Sequence, residues 1–366
     1  MERKRYDLID GHNDLPWAMR ELCRYDFGVA DLAAGVPSIQ TDIPRLRAGE
    51  VAGQFWSVYV PSTLKGGSAV TATLEQIDFV HQMLERYPAD FAPATTADDV
   101  DLARSQGRIA SLIGIEGGHS IDESLAVLRM MYDLGARYMT LTHNDNVPWA
   151  DSATDEPVLG GINDFGRDVI REMNRIGMIV DLSHVSADVM RQSIATTRAS
   201  VIFSHSSARA VCDSPRNVPD DVLAMLASND GTCMVTFVPS FVSNDVRRWY
   251  RECRETVVER GGNPKSFTEV DAVAIERAES MPQATISDVC AHIEHVRDVA
   301  GIDHVGIGGD FDGSLLMPTG LADVAGYPRL LDALVARKWS SDDLDKLCRA
   351  NVLRVLRNVE DVAGHA

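Results

Sequence analysis

Nowhere in this chain do the roughly 20 consecutive apolar residues of a membrane span stand together, so an α-helical spanning protein is not expected. Basic residues are scarce as well. Only 35 Lys and Arg face 54 Asp and Glu, a formal net charge of -19. Nucleic acids and anionic membranes are recognised through a basic footprint, so neither is an expected partner. The six cysteines (Cys23, Cys212, Cys233, Cys253, Cys290 and Cys348) lie far apart and form no CxxC pair. Several stand in apolar runs, such as Cys233 in "GTCMVTF", and read as buried reduced thiols suited to a reducing compartment. The opening "MERKRYDLIDGHND" is basic but lacks an apolar h-region, so no signal peptide is read there. A cytoplasmic location is the expectation. The Gly-rich "STLKGGSAV" (62–70) has no GK[ST] phosphate cradle and reads as a loop.

What is present is ordered. Eight short apolar runs stand out, at 7–12, 53–60, 109–118, 137–143, 177–184, 199–206, 231–239 and 304–313. Most are continuously apolar, as strands covered on both faces should be. Amphipathic stretches of helical period lie between them, for example 73–87, 124–135, 162–177, 186–197 and 219–230. Strand followed by helix, eight times, is the pattern of an α/β protein of the (β/α)8 (TIM) barrel type. The 366 residues then form one domain, 1–366. One interval breaks the rhythm: residues 240–285, between the seventh and eighth strands, read as two charged helices around "RGGNP". A helical insertion at the active face suggests a lid, although a solvated hairpin fits equally.

The strand ends carry the chemistry. The first run ends in His12 and Asp14, the third in Glu116, and the next three in His143, His184 and His205. The last ends in Asp310. A lone His after a strand is usually a hydrogen-bonded loop residue. Here four of the chain's ten histidines close predicted strands, and a barrel brings those ends together at one mouth. Imidazoles with carboxylates suit zinc, cobalt or manganese, and a carboxylate between imidazole pairs can bridge two ions. Such a pair would deprotonate a shared water near neutral pH. Asp310 could ligate, or shuttle the proton to a leaving group; His143 could stabilise an oxyanion. Hydrolysis at a carbonyl or phosphoryl centre follows, without a choice of substrate.

The ordered series "DGHNDLPW", "IEGGH", "YMTLTHNDNVPWADS", "VDLSHVS", "FSHSSARAVCDSPRNVPDDVL" and "GIGGDFDG" resembles the membrane (renal) dipeptidase family of metallopeptidases, from about residue 7 to 356. The resemblance implies a dipeptide-cleaving barrel of the amidohydrolase superfamily with two zinc ions, tolerant of a D-residue on the C-terminal side. It makes His12 and Asp14 ligands of one zinc, His184 and His205 ligands of the other, and Glu116 the bridge. His143 and Arg216 become substrate-binding groups and Asp310 the acid/base acting with a metal-bridging hydroxide. Asp312 is a loop-structuring neighbour. Phe241 stands where vertebrate members carry an aromatic hydroxyl. Without the resemblance, Arg216 would be read as a surface residue pairing with Asp220 or Asp221. The competing readings are another amidohydrolase, such as an N-acyl-amino-acid deacylase or lactonase, and an inactive metal-bound binding protein. A homodimer is left open. His119 reads equally as a support or a substrate contact; Trp17, Trp56 and Trp149 read as walls of the mouth, and His81, His292, His295 and His365 as surface residues.

Overall fold

A computed structural model describes residues 4–264 and 266–364; His365 lies outside them. Among the described residues nine strands form one sheet: β1 (Leu8–Asn13), β2 (Val51–Tyr59), β3 (Phe91–Pro93), β4 (Ile109–Glu116), β5 (Ala136–Thr140), β6 (Ile179–Asp181), β7 (Ile202–Phe203), β8 (Thr232–Val235) and β9 (Val305–Ile307). Every pairing is parallel. β1 pairs with both β2 and β9, and β2 runs beside β4 from Gly53↔Ala110 to Tyr59↔Glu116. Those contacts close eight strands into a barrel. All eight predicted strands are found. The ninth, β3, lies alongside the beginning of β4, at Ile109–Ser111, on the edge that β5 takes over from Ile113 onward. Three residues are too few to carry a periodic signal, which is why the sequence reading lacks it.

β1 and β4 are buried along their whole length, because helices cover the outside while side chains fill the inside. The helix Asp164–Ile176 shows how the sequence sets these elements. Asn163 caps its first turn by accepting from the Gly166 N–H, and Gly177 ends it in the left-handed conformation. Ser186 likewise caps Ala187–Thr196, as its position predicts. The helix expected at 73–87 begins earlier and spans Gly67–Arg86, so the last four residues of the Gly-rich 62–70 stretch are helical and not loop.

The insertion contains helices Asn244–Glu259 and Phe267–Glu276. They share a small apolar core of their own, built from Trp249, Cys253, Val257, Val270, Val273 and Ala274. Ion pairs Arg260–Glu276 (2.9 Å) and Arg277–Glu252 (2.9 Å) bind its two arms. None of the six cysteines is in a disulfide, and five of them are buried. Among the described residues no helix is long and apolar enough to cross a membrane.

Candidate metal centre at the barrel mouth

The strand-end residues converge as the barrel pattern requires. Glu116, the last residue of β4, lies at the centre. Its Oε1 is 3.0 Å from His184 Nε2, 3.6 Å from His205 Nε2 and 3.7 Å from His143 Nε2. Its Oε2 faces the other way, 3.5 Å from His12 Nε2, and accepts from Ser57 Oγ at 3.0 Å. His12 Nε2 also lies 3.4 Å from Asp14 Oδ2 and 4.0 Å from Asp310 Oδ1. All seven side chains are buried or nearly so. His184 and Asp310 are held with φ of 68° and 61°. For non-glycine residues that costs of order 1–3 kcal/mol each, and such strain is tolerated where it aims a working side chain.

The imidazoles are fixed from behind. His12 Nδ1 meets the Tyr138 hydroxyl at 2.9 Å, and Tyr138 donates to the Gly11 carbonyl. His205 Nδ1 meets Ser204 Oγ at 2.8 Å, and Ser204 donates to Asp181 Oδ2 at 2.6 Å. With each Nδ1 so engaged, each Nε2 turns its lone pair to the centre. Asp181 is fully buried and accepts three further hydrogen bonds, from Thr140 Oγ1 and from the amides of Ser183 and Ser204. Asp10 plays the same part across β1 and β9, accepting from Gly309 N, His12 N and the Tyr327 hydroxyl. Burial raises its carboxyl to about 6.

The cluster fits divalent metal. His12 Nε2 and Asp14 Oδ1 are buried without a hydrogen-bond partner in the protein, and such atoms are rarely left so. His184 Nε2 and His205 Nε2 face each other at 2.9 Å beside a carboxylate oxygen. Burial, reinforced by Arg216, lowers the basicity of His143, His184 and His205 well below the usual imidazole value, and a neutral imidazole is the ligating form. His12 goes the other way. Burial opposes its charge, but Tyr138, Glu116 and Asp14 outweigh it and favour a cation at this point. Asp310 is pushed well above the carboxylate range by burial, which His12 opposes and the neighbouring Asp14 and Glu116 reinforce. A Cβ on Gly313 would collide with the carboxylates of Asp14 and Asp310, so a larger residue there would push them from their places.

Arg216 is buried, its Nε and Nη1 have no partner, and its guanidinium stacks 5.2 Å from the Phe241 ring centre. The surface pairing is absent: Asp221 binds Arg191 and Asp220 binds His295. Desolvation brings Arg216 down to about 10, and Asp310 and Glu116 oppose that fall. Asp312 organises its loop by exchanging hydrogen bonds with Gln40. His119 meets the Val60 carbonyl at 3.0 Å and packs against the Gly117 turn beside His143, a supporting contact.

Three expectations are corrected. Trp56 and Trp149 are fully buried in the core, against Phe91 and Phe165, and only Trp17 lies by the mouth, edge-on to Tyr59. His292 is completely buried, not on the surface. Asp10, Tyr138, Asp181 and Ser204 were not singled out. Their signal was a polar residue inside an otherwise apolar strand, one to three positions before a site histidine in three of the four cases. Asp181→Asn should therefore turn Ser204 away from His205 and weaken metal binding about 10–100-fold. Competition against a chromophoric chelator measures it; unchanged affinity would refute the relay.

A (β/α)8 protein with a histidine–carboxylate cluster at the C-terminal mouth of its strands is thus defined. A sequence model of the membrane dipeptidase family (Peptidase family M19) matches residues 3–366. Dipeptidase 3 of Rattus norvegicus is 41% identical over 365 residues, 98% of this chain and 66% of that protein. The chain thus spans about two thirds of this relative's length. A metallopeptidase from Rhodobacter sphaeroides, liganded with a phosphinate mimic of the dipeptide L-Ala-D-Ala, superposes with a TM-score of 0.82 at 24% identity, covering 97% of this chain and 100% of that one. A probable dipeptidase of Pseudomonas aeruginosa gives 0.86 at 21% identity, covering 98% and 96%. The chain belongs to the membrane dipeptidase family.

Proposed function

We propose that this protein hydrolyses the peptide bond of dipeptides with two divalent ions, zinc by the character of the donors. His12 and Asp14 would hold one ion, His184 and His205 the other, with the two oxygens of Glu116 turned to opposite halves. When bound, such ions acidify water and polarise the carbonyl to be attacked. Asp310, buried beside the cluster with its proton affinity raised, would as a carboxylate take a proton from the attacking water and pass it to the leaving amine. His143, a neutral imidazole with its Nδ1 unpartnered, donates to the oxygen on which negative charge develops.

The observation that carries the substrate class is Arg216. A buried guanidinium without an acceptor is costly unless a ligand supplies one. A dipeptide presents its carboxylate one residue beyond the scissile bond, and a planar fork binds it through two parallel bonds. The dipeptide mimic held by the Rhodobacter sphaeroides relative supports a small substrate with a D-residue at that end.

Removing a charge-assisted contact of about 1.5–3 kcal/mol lowers kcat/KM by about 10–150-fold, the loss expected of Arg216→Met. Because neither Nε nor Nη1 of Arg216 has a hydrogen-bond partner within the protein, the same change should leave thermal stability equal or higher. Amidating the substrate's C-terminus should cost the wild type a similar factor and the variant little more. Equal hydrolysis of free and amidated dipeptides by the wild type would remove Arg216 from substrate recognition.

A further inference from the structure

Arg216 is carried by a loop that leaves the barrel at Ala208 and returns at Val218, where the two form a β-bridge. The phenyl ring beneath the guanidinium belongs to a different segment, the short helix Pro239–Val242, which leads directly into the helical insertion. The site therefore depends on how these two segments are held together. Asn217 Nδ2 donates to the Phe241 carbonyl at 2.8 Å and to the Cys212 carbonyl at 2.8 Å. Asn244 accepts from Asp213 N at 3.2 Å and donates to the Val211 carbonyl at 3.0 Å. One more residue reaches both segments, from the far end of the insertion. His292, on the helix Ile286–Ala300, accepts from Ala208 N at Nδ1 (3.0 Å) and faces the Val242 carbonyl with Nε2 (3.2 Å).

These contacts define the imidazole's state. A carbonyl can only accept, so Nε2 carries the proton, and an amide N–H only donates, so Nδ1 carries the lone pair. Burial, outweighing the Val242 contact, brings this histidine down to about 4, so the ring is neutral around pH 7. The side chain is fully buried with both nitrogens used. It thus ties the base of the Arg216 loop to the last residue of the Phe241 helix, and closes the foot of the insertion across its two ends.

We propose that His292 is a positioning residue for substrate recognition, locking the Arg216 loop against the Phe241 helix so that the guanidinium is held ready for the substrate's carboxylate. This rests on Arg216 reading that carboxylate. A histidine that serves the fold alone would affect every substrate equally; a positioning residue shifts the discrimination between free and amidated dipeptides.

The test uses the zinc-loaded full chain and compares wild type, His292→Leu, His292→Asn and Arg216→Met on one dipeptide in free and amidated form. His292→Leu removes both contacts at similar volume. It is expected to raise KM for the free dipeptide about tenfold with kcat changed less than about threefold, and to leave kcat/KM for the amide within about twofold. His292→Asn retains an acceptor for the Ala208 amide, and an intermediate discrimination is expected; it carries the test alone if the leucine variant does not fold. Added to Arg216→Met, either change should cost less than about twofold more, because the two act through one contact. Equal losses on both substrates, or a full additional loss in the Arg216→Met background, would overturn the proposal while leaving the role of Arg216 standing. No discrimination by the wild type would overturn both.

Discussion

Asp310→Asn is expected to keep its metal and lose about 10²–10⁴-fold in kcat, the range of a general acid–base group. The substitution isolates proton transfer. Asparagine has the same shape and tolerates the left-handed backbone that residue 310 adopts (φ 61°), and the bond from its amide to the His12 carbonyl is untouched. What disappears is a carboxyl able to take up and release a proton, one whose proton affinity is raised by burial, with Asp14 and Glu116 adding to it and His12 opposing. Its oxygen lies 4.0 Å from His12 Nε2, against 3.4 Å for Asp14 and 3.5 Å for Glu116, and His12, Asp14 and Asp310 lie close enough to share an ion, so metal content is the readout that separates a proton carrier from a ligand. Steady-state kinetics and elemental analysis on one preparation decide it. Metal lost in parallel with activity would make Asp310 a ligand, and retained activity would refute both roles.

Glu116→Gln is expected to empty both halves of the centre together. One oxygen serves the His184 and His205 side, the other the His12 side. An amide must turn its NH2 to one of them, and an N–H cannot ligate. About two metal equivalents per chain in the wild type and well below one in the variant are the predicted contents, since five ligating groups exceed one tetrahedral ion. A wild type saturating at one equivalent, or a variant that keeps one ion firmly, would contradict the bridge.

The strand-end residues were legible because a parallel barrel converts position along each strand into position in space. His184 and His205 are 21 residues apart in sequence, yet their Nε2 atoms meet at 2.9 Å. The resemblance then supplied roles that spacing could not. What escaped was burial of single side chains. His292 falls on the same helical stripe as Val289, Ile293 and Val296, all buried, and that three- and four-residue spacing was a usable signal for an inward-facing histidine. Trp56 and Trp149 are core residues rather than walls of the mouth. Their environment depends on packing against Phe91 and Phe165, which no local pattern encodes. The polar relays behind His12 and His205 were hidden for a related reason. Asp181 and Ser204 gain meaning only when neighbouring strands β6 and β7 bring them within 2.6 Å.

The most direct test is amino-acid release by the full chain from dipeptides with L- and D-residues at the C-terminal position, with N-acetyl amino acids and a lactone as competitors. Each is run metal-loaded, after chelation, and after zinc is restored. The account predicts dipeptide cleavage that disappears with the metal, returns with zinc, and exceeds any turnover of the other two classes. Dipeptide cleavage indifferent to chelation, or turnover confined to the N-acetyl amino acids or the lactone, would contradict it.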